Sequence, residues 1–336
     1  MIVYVEPDGM HLGVVIPRTG SHDPTDLAIS AEAQGYDSVW MGELWGSSSV
    51  VKLSEIAALT DEIELGTAIV NVFSRTPAVL AMTAATLDQV ADGRASLGVG
   101  TSTPTAVETI HGKSFERPVR RSHETIEIIQ HILTDDEPVD YDGELVSVSG
   151  VPPLDRDVPV YHAALGPANR RVVGRLCDGW LPHNIPFSQL DEAFEVVETS
   201  ARERDRDPGE ITIAPYVPSA VSEDSEAAYD AVRGHIAYYA GSAEGYRKAI
   251  ATAFPEQVER VAEAWQAGDR ADATALVTDE MVDDLGVAGT PSEARERLRG
   301  LVSETIVDRP LVTIPEQAAD DVAEDTIEAL APVADD

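Results

Sequence analysis

Along this chain, short runs of β-branched and small apolar residues alternate with longer stretches in which apolar side chains return every three to four positions. The first pattern is that of a buried strand and the second that of a helix with one buried face. Residues 12–16, 38–41, 63–70, 95–99, 158–163, 179–181, 211–215 and 310–314 read as strands. Residues 25–34, 50–59, 78–90, 119–133, 168–176, 189–204 and 291–302 read as the helices between them. Eight strands separated by helices predict an α/β fold, a (β/α)8 TIM barrel with its site at the carboxyl ends of the strands. A chain of 336 residues is within reach of one barrel, so residues 1–336 read as a single domain.

Two stretches break the alternation. Residues 140–148, DYDGELVSV, set a turn between alternating positions and predict a hairpin inserted after strand four. Residues 224–284 follow strand seven, with helical periodicity at 223–239 and 256–266 and the aromatic residues Tyr238, Tyr239, Tyr246, Phe254 and Trp265. This insertion is expected to cover one side of the barrel mouth. Residues 332–336 are expected to fray.

Charge changes the expected surroundings. Sixty acidic against 24 basic residues give a formal charge of −36, and Lys52, Lys113 and Lys248 are the only lysines. Such a surface repels itself in dilute salt, whereas in molar salt the Debye length falls to about 3 Å and the repulsion is screened. The composition therefore reads as adaptation to a salt-rich cytoplasm, as in halophilic archaea, and speaks against a nucleic-acid partner. A hydrophobic content of 43% speaks against disorder. One cysteine, Cys177, excludes an internal disulfide framework and fits a reducing cytosol. With no signal-like start and no apolar run of membrane length, a cytoplasmic protein that binds no membrane is expected.

The most informative stretch is TLDQVADGRASLGVG, Thr86 to Gly100: a helix end, an Asp92-Gly93 turn, and a strand that runs out through Gly98 and Gly100. Glycines at a strand's carboxyl end either admit a large ligand or permit close packing at a barrel corner, and these residues leave both readings open. The longer pattern, LD-x-x-x-x-G-R-x-x-L-G-x-G, resembles the signature of the bacterial luciferase-like superfamily of flavin- and deazaflavin-dependent barrel enzymes. The resemblance continues in order through residues 12–17, 31–44, 63–77, 111–129 and 158–182, and does not extend to 216–284. Within that superfamily the chain resembles coenzyme F420-dependent reductases, including the methylenetetrahydromethanopterin reductases of archaea.

The resemblance implies a cofactor at the mouth. It implies a non-prolyl cis peptide at Ala68–Ile69 behind the cofactor ring, with Asn71 at the ring's polar edge, although Asn at a strand end is also a turn former. Where the family carries an acid followed by His, this chain has Glu43-Leu44. Glu43 is the candidate catalytic residue, able to hydrogen-bond the ring, or to hold a proton if a half-closed pocket raises its pKa; it also reads as an ordinary loop Glu. Trp40 and Trp45 are expected to line the pocket wall. After strand four, where some deazaflavin enzymes place an acid, Gly100, Thr101 and Ser102 are followed by Thr103 and Pro104, and the next acid is Glu108. The hydroxyls are assigned to cofactor or substrate.

Anion binding has a physical basis in the residues themselves. Leu165, Gly166, Pro167, Ala168 and Arg170 follow strand five and open a helix, whose free N–H groups and positive end suit a phosphate, with Arg170 or Arg171 adding charge. The eight histidines show no metal spacing, so no metal site is expected. His11 falls on the barrel's stability face, while His162 and His183 read either as facing the mouth or as satisfied core and loop histidines. No nucleophilic triad order, cysteine cluster or P-loop is present. The expected function is hydride transfer between coenzyme F420 and an organic small-molecule substrate, one version being a pterin or folate C1 carrier. The alternatives are an FMN-dependent monooxygenase and a non-catalytic cofactor-binding homologue. A homodimer is expected.

Overall fold

The computed structural model describes residues 10–17, 23–316, 318 and 320–332. Residues 333–336 of the stretch expected to fray lie outside them. Strand β1 (Gly13–Val15) pairs in parallel with β2 (Ser38–Met41), and β2 with β3 (Glu64–Thr67). Then β3 and a short continuation, Val70–Asn71, pair with β4 (Ala95–Gly100), followed by β5 (Val160–Ala163) and β6 (Gly179–Trp180). The seventh strand comes in two pieces. Thr212–Ile213 pairs with β6, and β7 (Tyr216–Val221) pairs with β8 (Leu311–Thr313), which returns to β1. Across the break, Tyr216 N donates to Pro182 O (2.9 Å) and Leu311 N to Pro215 O (2.8 Å), closing the ring.

Outside it lie α1 (Pro24–Ala33), α2 (Ser49–Ala57), α3 (Pro77–Val90), α4 (Pro118–Thr134), α5 (Pro167–Leu176) and α6 (Leu190–Arg202). The insertion supplies α7 (Ser225–Ser242), α8 (Glu244–Ile250), α9 (Pro255–Gln266), α10 (Arg270–Ala275) and α11 (Asp279–Leu285). After it come α12 (Pro291–Glu304) and α13 (Asp320–Leu330). Many of the helix starts are written locally. Asp23 caps α1 through Thr25 N (2.8 Å), Thr76 caps α3 through Val79 N (3.3 Å), and Pro24, Pro77 and Pro291 occupy first-turn positions where no N–H is needed.

The expected hairpin is present as Val139–Asp142 against Ser147–Val151. Three element boundaries differ from expectation. Strand three is split at Ala68–Ile69, which is a cis peptide as the resemblance implied. Strand seven reaches Val221, because YVPSAV is buried along its whole length and its Pro and Ser disguise an inward-facing strand. A further strand, Val287–Gly289, extends the sheet beyond β7.

The barrel interior below the mouth is filled by Trp40 and Tyr161, edge to face at 5.1 Å, with Leu181, Ala214 and Leu311. Room for Trp40 exists because residue 66 is Gly: a Cβ there would lie 2.1 Å from the indole. At the opposite end, Arg94 of the signature donates to the carbonyls of Ala57, Thr60, Ile63 and Ala91, tying loops to β4. His11 lies on that face, its Nδ1 3.3 Å from Asp37. The insertion helices bury their own apolar cluster, including Val232, Ile236, Ile250, Phe254 and Val258.

Candidate active site

The loops at the carboxyl ends of the strands surround a cavity of about 740 Å³ that the insertion helices partly cover. Tyr238, Tyr239 and Tyr246 of the insertion line it, while Phe254 is buried in the insertion's own core. Of the residues expected at the site, Glu43, Ala68, Ile69, Gly100, Thr101, Ser102, Leu165 and Gly166 line this one cavity.

Glu43 follows β2, and its backbone N–H donates to Ile69 O (3.1 Å), so the two loops are stitched together. Its carboxylate receives Arg75 in bidentate fashion, Nη1 at 2.5 Å and Nη2 at 3.0 Å, and also accepts from Ser48 Oγ (3.1 Å) and Ser49 N (3.2 Å) at the start of α2. Half-burial pushes the carboxyl pKa up, but Arg75's hydrogen bonds and charge, with Ser48 and Ser49, outweigh it and hold the pKa below the usual carboxylate range. The condition under which Glu43 would store a proton is therefore not met. It is a fixed carboxylate at the cavity wall.

Behind the cavity, Thr67 Oγ1 donates to Gly98 O and accepts from Gly98 N, both at 2.8 Å. A Cβ at Gly98 would sit 1.9 Å from Thr67 O, so Gly98 serves close packing of β3 on β4. Gly100 differs: it lines the cavity, and a Cβ there would meet the Ile69 side chain at 3.1 Å. Ser102 has φ +59°, in the left-handed region, where the chain turns out of β4.

Several expectations are corrected. Asn71 is buried and does not line the cavity; its Oδ1 accepts from Phe73 N (3.0 Å) and Ser74 N (2.8 Å) and its Nδ2 faces His111, so it is the turn former. Pro167, Ala168 and Arg170 stand back from the cavity. The Arg170 guanidinium lies 5.8 Å from the Trp180 ring, and burial lowers its pKa against the pull of Glu192, because its helix position faces α6. Asn169 lines the cavity in its place, its side chain also turned to the buried His162 ring. Trp40 is core beneath the site, whereas Trp45 lines the cavity and is 52% exposed. Glu108 is exposed on the π-helical turn Ala106–Ile110 and accepts from Phe115 N (3.3 Å); it does not line the cavity, although Ala106 and Ile110 do. His162 is fully buried, with Nδ1 3.1 Å from the Val99 carbonyl.

His183 does reach the mouth, with partners that sequence reasoning missed. Its Nε2 is 3.3 Å from Nε2 of His235 on α7, and its ring stacks on Tyr216 of β7 at 4.6 Å. Burial depresses both imidazole pKa values, His183 well below the ordinary value and His235 to about 3, so both rings are neutral at neutral pH. His235 and Tyr216 stand in residues 216–284, where no motif is recognised, and Arg75 lies in the resembling stretch 63–77 without being singled out. Among the described residues no group of His, Cys, Asp and Glu is arranged to hold a metal, and no helix is long and apolar enough to cross a membrane.

Comparison with known proteins agrees with this geometry. Residues 10–309 match the family described as luciferase-like monooxygenase, a span that includes residues 216–284, to which the resemblance was not expected to extend. A protein of Mycobacterium tuberculosis, provisionally named a coenzyme F420-dependent oxidoreductase, is 30% identical over 326 residues, 86% of this chain and 91% of its own. The methylenetetrahydromethanopterin reductase of Methanolobus tindarius is 28% identical, with 81% of this chain and 84% of its own covered. The structure of the coenzyme F420-dependent tetrahydromethanopterin reductase of Methanopyrus kandleri superposes with a TM-score of 0.81 at 25% identity, covering 96% and 97% of the two chains. With its closed barrel, its split third strand and a match that spans most of its length, the chain belongs to the luciferase-like monooxygenase family.

Proposed function

We propose that this protein is a coenzyme F420-dependent oxidoreductase that passes a hydride between the deazaflavin and an organic substrate. The observation that carries the reading is the cavity at the strand ends, apolar on Ile69, Ala163 and Leu181 and polar on Thr101, Ser102, Thr103 and Asn169. A flat ring with a polar tail needs such a division between an apolar slot and a few placed donors and acceptors. Asn169 adds a hydrogen-bonding side chain at the slot, and the relative and the solved structure named for the same coenzyme support the choice.

When bound, the deazaflavin supplies the hydride chemistry. The chain's part is placement. Ile69 and Gly100 would back the ring, Glu43 presents a fixed carboxylate, and the hydroxyls of Thr101 and Ser102 would meet polar groups of the cofactor. Gly166 and Asn169, which line the cavity where α5 starts without a side-chain cap, would offer backbone N–H groups to a phosphate of the tail. For the substrate, a C1 unit on a pterin or folate carrier is the finer reading, supported by the two methanopterin reductases.

Titration of the purified protein in molar KCl with oxidised F420 and with FMN, followed by tryptophan fluorescence through Trp45 at the cavity, tests the cofactor. Micromolar F420 binding in preference to FMN is expected. Preference for FMN turns the reading to a flavin monooxygenase, and binding of neither overturns both.

A further inference from the structure

The cavity has two chemically different walls. One, from the loops after β2 to β5, carries Glu43, Ile69 and Thr101. The other is built by β6, β7 and the insertion, and six rings face it: His183, Tyr216, His235, Tyr238, Tyr239 and Tyr246. His183 sits at their centre, nearly parallel to Tyr216 (21°) and steeply inclined to Tyr239 at 4.4 Å and Tyr246 at 5.3 Å. Aromatic faces of this kind hold flat rings by offset stacking and edge contacts.

The rings themselves are uncharged. Lys248 on α8 is the one Lys or Arg side chain among the described residues that line the cavity, and its Nζ is 2.6 Å from Glu244, while Glu43 on the opposite wall is held by Arg75. An anionic substrate would be desolvated against aromatic faces, with Lys248 already paired to Glu244, whereas a neutral ring loses less. The two histidines supply the polarity. With both imidazoles neutral, their facing Nε2 atoms require one donor and one acceptor, so the pair's two Nδ1 atoms are of opposite kind, one N–H and one lone pair.

We infer that this aromatic wall is the substrate-recognition face and selects an uncharged, planar ring with hydrogen-bonding groups, positioned by His183, whose tautomer His235 fixes. The inference rests on the reading of the cavity as a site for cofactor and substrate together. His183 acts by positioning, and no proton or hydride passes through it.

The test uses the full chain saturated with oxidised F420, with quinazolinone as a neutral probe and its carboxylate derivative as the anionic counterpart. Calorimetry is expected to give tighter binding of the neutral probe by about tenfold, and nitrogen NMR of the imidazoles to show one Nε2–H and one Nδ1–H tautomer whose signals move when the probe binds. His183→Phe keeps a ring in the stack but removes its nitrogens. It should weaken the neutral probe by about tenfold and leave F420 affinity unchanged, while His235→Gln, which retains a hydrogen-bonding partner, should restore most of what His235→Phe loses. Equal affinity for the two probes, histidine signals that do not move, or a His183→Phe variant that binds the neutral probe normally would each overturn the inference. If the wild type fails to bind F420 yet binds the neutral probe through His183, the recognition face stands and the cofactor reading falls.

Discussion

At the scale of single residues, the site is governed by which polar groups are already occupied. Glu43 looked like a proton store because it stands where the family keeps an acid, but the bidentate Arg75 contact and α2's first turn fix it as an anion. His183 and His235 are the converse case, two bases kept neutral by burial. This has a sign in stability. A histidine whose folded pKa is depressed costs nothing above the unfolded value of about 6.5, where both states are neutral. As the pH falls toward about 3, the unfolded chain takes up protons that folded His235 refuses, so stability is lost. Urea midpoints are therefore expected to fall steadily from about pH 6.5 downward, and His235→Phe to flatten the upper part of that decline. An unchanged slope in the variant would show that other groups carry it.

At the scale of elements, the signature stretch divides its labour in a way its spelling does not show. Arg94 is a clamp at the far end of the barrel, Gly98 is a packing contact and Gly100 a wall of the cavity. The two glycines should respond differently to one methyl group. In Gly98→Ala the Cβ meets the Thr67 backbone carbonyl, on a strand whose Thr67 hydroxyl makes two hydrogen bonds to Gly98, so β3 and β4 must part, at a cost of about 3 kcal/mol or more in urea unfolding. In Gly100→Ala the obstacle is a side chain, Ile69, which can rotate, so the fold should survive with about its normal stability while F420 affinity drops. Comparable unfolding midpoints for both variants would refute this division.

At the scale of the whole molecule, charge is the dominant feature. A formal charge of −36 on 336 residues opposes compaction in dilute buffer, and even the ion pairs at Arg233 gather three carboxylates around one cation. Exposed pairs contribute little each, so screening of the collective repulsion is the larger effect. The thermal midpoint is expected to rise by several degrees or more between about 0.1 M and about 2 M KCl, read by circular dichroism. A midpoint independent of salt would argue against adaptation to a salt-rich cytoplasm.

What the sequence determined by itself is what local chemistry encodes. Hydrophobic period placed the barrel strands and their helices, and Pro and Asp or Thr at helix starts bounded α1 and α3. Family resemblance, carried by short motifs, located the cis Ala68–Ile69 bond and most of the residues lining the mouth from strands two to five. Direction and partnership were decided only in three dimensions. Asn71, Pro167, Ala168 and Arg170 stand in the right motifs but turn from the cavity, because the facing of a side chain depends on the register of its strand or helix against its neighbours. The His183–His235 pair joins residues 52 apart in sequence, across a strand end and an inserted helix with no motif between them. A contact of that kind has no local energy of its own, and it exists because the closed ring and the insertion's separate core bring the two elements together.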